Sequence, residues 1–192
     1  RVNSPRSLLE VRVETRGGDV QAYDLNGGVR AETGGGAIRL DRVWGGSWLR
    51  TGGGEIIVGT QKGPLHCTTG GGAIRLTRVL GDATLDTSGG EISVGEVHGQ
   101  LNAGTAGGSI WIGRAGATVI ARTAGGQIQV EQAAARVTAA TNGGAIQIGS
   151  ARGVRLDSGA GAIRVRNVSG AVRVSTANGS ILADLLSSSP LE

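Results

Sequence analysis

Glu55 and Glu91 are the residues best placed to do chemistry. They recur with Asp19 every 36 residues. If the chain coils twice between them, the carboxylates stand ~9.6 Å apart, near the separation at which an inverting glycosidase holds its acid and its base. Arg39 and Arg75 fall midway, which makes a staggered lattice of Arg39, Glu55, Arg75 and Glu91 with opposite charges on diagonals. Diagonal neighbours ~7 Å apart are within reach of long side chains. A carboxylate paired with arginine on an open face is held below its ordinary pKa and cannot act as a general acid near neutrality. The expectation is therefore a surface charge lattice, no catalytic residue and no enzyme.

Other reactive groups are sparse. His66, Cys67 and His98 are the only histidines and the only cysteine. Neighbours His66 and Cys67 point to opposite sides of a strand, so no zinc site forms. One cysteine makes no internal disulfide and leaves the compartment open. The Gly-Gly-Gly runs are not followed by Gly-Lys-Ser/Thr, and Asp does not recur as a calcium-binding repeat would require, so no metal and no cofactor is expected.

Binding is better represented. Arg12 and Arg30 are 18 residues apart, as are Arg155 and Arg173. On adjacent turns such pairs repel unless an anion bridges them; the competing reading is solvated arginines beside Glu14, Glu32 and Asp157. Trp48 and Trp111 point outward from different strand faces, each able to stack on a sugar ring or pack at an oligomer interface. The candidate anion or glycan contacts are Arg12, Arg30, Arg155, Arg173, Trp48 and Trp111.

Composition limits what can position these residues. The 192 residues include 37 glycines, no Phe and no Met, which excludes an ordinary core of large side chains. The net charge of +4 rests almost wholly on arginine and favours anionic polysaccharide or an envelope surface as partner. Nucleic acid is not expected, because aromatic and basic residues do not interleave. No stretch approaches the ~20 apolar residues of a membrane-spanning helix.

The positioning element is an 18-residue repeat. A Thr-x-x-Gly corner stands at Thr15, Thr33, Thr51, Thr69, Thr87, Thr105, Thr123 and Thr141, then at Ser158 and Thr176. Counting the corner residue as position 1, position 6 holds Ile38, Ile56, Ile74, Ile92, Ile110, Ile128 and Ile146. Position 8 is also apolar, positions 15 and 17 carry apolar pairs such as Val29 and Ala31, Leu65 and Cys67, and Val119 and Ala121, and position 11 is apolar except at Gln61. Alternation bounded by glycine predicts two short half-buried strands per repeat, neither able to bury its apolar face alone. The fold class that follows is all-β: a single-stranded parallel β-helix (β-solenoid) of about ten 18-residue turns, right-handed, as one domain over residues 1–192. With strands ~4.8 Å apart the rod is roughly 45 Å long.

Position 4 is glycine in every turn: Gly18, Gly36, Gly54, Gly72, Gly90, Gly108, Gly126 and Gly144, then Gly161 and Gly179. Position 3 is glycine except at Ala160 and Asn178. Asn is the best substitute where φ is positive, so a left-handed corner is expected at position 3, with strain at Ala160. The turn starting at Thr141 is one residue short near Gly153. The threonine column reads as a hydroxyl ladder bonded to the corner backbone. Repeats run from about residue 7 to 186; 187–192 read as a disordered tail ending in a cloning junction at Leu191-Glu192.

The run Thr87-Ser88-Gly89-Gly90-Glu91-Ile92-Ser93-Val94-Gly95-Glu96-Val97-His98-Gly99-Gln100-Leu101 resembles the repeat of the bacterial DUF4097 family of adhesin-like proteins. The family joins a Thr-x-Ser/Gly-Gly-Asp-Ile corner to a Val-x-x-Val-x-Gly-x-Val-x-Val tail. Frequent Ala at position 5 departs from the family's Asp. The resemblance implies an exported or envelope-associated β-helix, periplasmic or at the cell surface, with no shared catalytic residues. The expected function is thus an adhesin-like binding or scaffold module of the bacterial envelope. Two alternatives stand beside it: a bactofilin-like filament built by end-to-end or side-by-side association, and a polysaccharide-active enzyme. A cytoplasmic location is the alternative to export.

Overall fold

The computed structural model describes residues 10–185, so the two ends of the expected repeat span and the segment 187–192 lie outside the described residues. Two ten-stranded, wholly parallel sheets stack as a β-solenoid of about ten turns. The first sheet begins with Glu10–Thr15 and ends with Val172–Thr176; the second begins with Val20–Leu25 and ends with Ile181–Leu185. The chain alternates between them, and no strand pairs with its sequence neighbour.

Register follows the repeat. Ile38 pairs with Ile56, and Ile56 with Ile74, in the second sheet; Thr51 pairs with Thr69 in the first. Each strand is too narrow to fold alone, but stacking puts every inward side chain on its own counterpart. Ile38, Ile56, Ile74, Ile92, Ile128 and Ile146 are fully buried and Ile110 is 1% exposed. Burying each such side chain contributes roughly 1.5–3 kcal/mol. Gln61 breaks column 11 yet is fully buried. Its Nε2 donates to the Gly45 carbonyl at 2.5 Å, and Ser47, the polar exception in column 15, donates its hydroxyl to Gln61 Oε1 at 3.2 Å.

The corners differ from expectation. No position-3 residue has a positive φ, so the left-handed corner and the strain at Ala160 do not occur. A Cβ on Gly17, Gly35, Gly53 or Gly71 would meet open space. The glycine requirement lies one residue on: a Cβ on Gly72 would stand 1.9 Å from the Gly54 carbonyl oxygen, and the other position-4 glycines from Gly36 to Gly179 are equally crowded by the turn before. Position 4 is glycine because consecutive corners touch backbone to backbone. Left-handed backbone appears instead at position 10, in Asp24 (φ 59°), Arg42 (φ 55°) and Asn167 (φ 46°), and at position 13 in Gly153 (φ 104°) of the short turn and Gly170 (φ 87°) of the next.

The threonine ladder is internal. Thr69 Oγ1 accepts from Gly72 N at 3.2 Å and donates to the Gly54 carbonyl at 2.9 Å, and the arrangement recurs from Thr33 to Ser158. These hydroxyls satisfy a corner N–H and a carbonyl that the sheets leave over.

A candidate binding face

The two sheets treat their outward charges differently. On the second sheet several carboxylates are held by arginines of neighbouring turns. Arg39 lies 3.7 Å from Asp19, and Arg75 grips Glu55. Each arginine reaches back to the preceding turn, so the predicted lattice is one-sided. Glu91 makes no ion pair among the described residues, because Trp111 stands where the next arginine would. With Glu55 bound by Arg75, the Glu55 and Glu91 carboxylates are not an equivalent pair.

A second ladder, in column 10, escapes the sequence reading. Arg42 clasps Asp24 at 2.5 and 2.9 Å and also binds Asp41. Farther along, Glu96 lies 2.7 Å from Arg78 and 4.0 Å from Arg114, and His98 Nε2 is 3.1 Å from it. The Arg78 hydrogen bond, with smaller help from His98, holds the Glu96 carboxyl below its ordinary value. The signal is alternation of charge at a period of 18 residues, interrupted by Thr60 between Arg42 and Arg78.

The first sheet has one ion pair among the described residues, Arg155 to Asp157 at 3.9 Å. Among the described residues, Glu10, Glu14, Glu32 and Asp86 on this face find no arginine partner, and Arg12, Arg50, Arg122, Arg136 and Arg173 find no carboxylate. Both predicted arginine pairs are in register, Arg12 with Arg30 and Arg155 with Arg173. They have different surroundings. The Arg30 guanidinium lies over the Trp48 ring, 4.2 Å from its centroid, and His66 stacks on the far side with centroids 6.3 Å apart and planes 12° off parallel. Trp48 therefore presents its edge, both ring faces being taken, beside a shallow cleft of about 350 Å³ bordered by Pro64 and Asp82. Trp111 sits on the other sheet between Ser93 and Gln129, remote from this column.

Arg155 and Arg173 meet two arginines the sequence reading did not single out. Arg122, from column 18, and Arg136, from column 14, border the same cleft of about 630 Å³, floored by Thr138 and Ala140, with Asp157 as its one carboxylate. Neighbouring turns bring the four together from three columns, so no single-column comparison finds them. Net charge is polarised accordingly. Eleven basic and eleven acidic residues cancel over residues 1–112, while eight against four over residues 113–192 supply the whole +4.

No family model, curated protein or solved structure matches the chain. The repeat residues alone carry the family resemblance.

Cys67 is buried and its thiol is pushed up by desolvation, which removes it as a nucleophile. No group of three or more metal-ligating side chains and no helix long and apolar enough to cross a membrane occur among the described residues. Three exposed apolar residues, Ile181, Leu182 and Leu185, lie in the last described turn: Ile181 is 48% exposed, whereas Ile163, one turn inside, is 1% exposed.

Proposed function

We propose that the protein is a non-enzymatic, adhesin-like binding module of a bacterial envelope, and that the outward face of the first sheet carries its ligand. One observation supports this reading above the others: most second-sheet carboxylates, Asp19, Asp24, Asp41, Glu55 and Glu96, are paired with arginine, whereas the first sheet has a single ion pair among the described residues. Unpaired charge on a rigid, regularly spaced surface has low ordering cost on binding and favours a charged polymer. The four-arginine cleft gives that polymer an anionic character. The envelope location rests on the family resemblance, and fractionation of cells expressing the protein tests it.

A panel of acidic and neutral polysaccharides, scored for both retention and new reducing ends, tests the reading. Salt-sensitive retention of acidic chains without depolymerisation is expected. Release of reducing ends that depends on Glu55 or Glu91 overturns the non-enzymatic assignment.

The exposure of Ile181 favours a second reading, in which copies stack end to end. Sedimentation of the purified protein tests it: growth into long assemblies with concentration supports stacking, and a constant small species removes it.

A further inference from the structure

The cleft between Arg122, Arg136, Arg155 and Arg173 has a shape and chemistry that specify more than negative charge. We infer that it is a subsite for an acidic, hydroxyl-rich sugar chain, with its rings lying on the Thr138 and Ala140 floor and its anionic groups reaching the guanidinium rim. This rests on the reading of the first sheet as the ligand face and deepens it.

Three features carry the assignment. The cleft, at about 630 Å³, is of the size that holds a small organic ligand, here a few sugar rings. The floor is low because Thr138 and Ala140 are small where neighbouring turns carry arginine: Thr138 pairs with Arg155 in column 16, and Ala140 with Arg122 in column 18. A methyl and a hydroxyl are suited to a flat ring, and guanidiniums to carboxylate, sulfate or phosphate. Asp157 decides between anions. It borders the same cleft with a side chain 54% exposed, and its 3.9 Å contact with Arg155 leaves acceptor sites open. Against a bare phosphate this carboxylate is repulsive. Against a sugar it accepts a hydroxyl hydrogen bond.

Nucleic acid fits less well, since no aromatic side chain borders the cleft to stack a base. A membrane surface fits less well too, since the bordering side chains include no large apolar group to enter the bilayer.

The test titrates the full chain with a galacturonate oligosaccharide, a neutral maltooligosaccharide of equal length, inorganic phosphate and phosphatidylglycerol vesicles. Galacturonate binding is expected, with Arg136→Gln and Arg122→Gln each weakening it about tenfold and thermal unfolding unchanged. Asp157→Ala gives the sharpest contrast. It weakens galacturonate binding by about tenfold while strengthening phosphate binding. Tighter galacturonate binding by Asp157→Ala, vesicle binding in its place, or equal affinity for the neutral chain overturns the subsite. If Arg50→Gln and Trp48→Ala abolish binding while the Arg122 and Arg136 variants retain it, the first-sheet face stands and this cleft is not its site. If neither set matters, both readings fail.

Discussion

Thr69 Oγ1 donates a hydrogen bond to the Gly54 carbonyl, 2.9 Å away and one turn back along the rod. The same oxygen accepts from Gly72 N. One hydroxyl therefore joins a corner to itself and to the corner beneath it. Replacing it with a methyl leaves a donor and an acceptor unsatisfied in a site that is 2% exposed. Thr69→Val is expected to cost ~1–3 kcal/mol in denaturant unfolding. Thr69→Ser, which Ser158 mimics naturally with bonds of 3.1 and 2.9 Å, costs less than half as much.

Gly71 and Gly72 are adjacent glycines with opposite tolerance. A Cβ on Gly71 meets nothing within 4 Å, and one on Gly72 meets the Gly54 carbonyl at 1.9 Å. Gly71→Ala is expected to stabilise by ~0.5 kcal/mol through the unfolded chain. Gly72→Ala forces two turns apart and costs at least ~3 kcal/mol. Urea unfolding of the two variants checks the contrast.

The pattern that revealed the fold is also what obscured part of the site. Column 6 isoleucines, spaced by 18, dictated register because a parallel stack places each residue on its repeat equivalent. Position 4 was legible as invariant glycine, but its cause was not: the crowding comes from a carbonyl 18 residues away, which local φ arguments do not contain. Arg155 and Arg173 were legible because they share a column. Arg122 and Arg136 were not, since they reach the cleft from other columns and earlier turns. Trp48 and Arg30 share a column, yet their stacking depends on side-chain direction within it.

Among the described residues, Gln61 and Ser47 form the one buried side-chain pair that answers polar with polar across the core. Gln61→Val alone leaves Ser47 and the Gly45 carbonyl without their partner and costs ~1–3 kcal/mol. Adding Ser47→Val restores the apolar columns of the neighbouring turns and recovers most of that loss. A double-mutant cycle measures the coupling; additive costs would show that the two residues act independently.

Glu96 gives the stability a defined acid limb. Its folded pKa lies below the ordinary value of 4.5, so its bond to Arg78 stabilises the fold above that value. The contribution fades as pH falls through the lowered folded value. Glu96→Gln should therefore flatten the loss of stability on acidification below pH 4.5 and lower stability at pH 7. Thermal melts of both proteins across the acid range show this directly.

The account depends most on which face carries the ligand. Two triple variants separate the faces: Arg122→Gln, Arg136→Gln and Arg173→Gln on the first sheet, and Arg39→Gln, Arg75→Gln and Arg78→Gln on the second. Each removes the same formal charge, so long-range attraction is matched. Binding isotherms for a labelled acidic polysaccharide are predicted to weaken at least a hundredfold for the first triple and at most threefold for the second. Equal losses from both would mean diffuse charge attraction without a face, and a larger loss from the second would place the ligand on the wrong sheet.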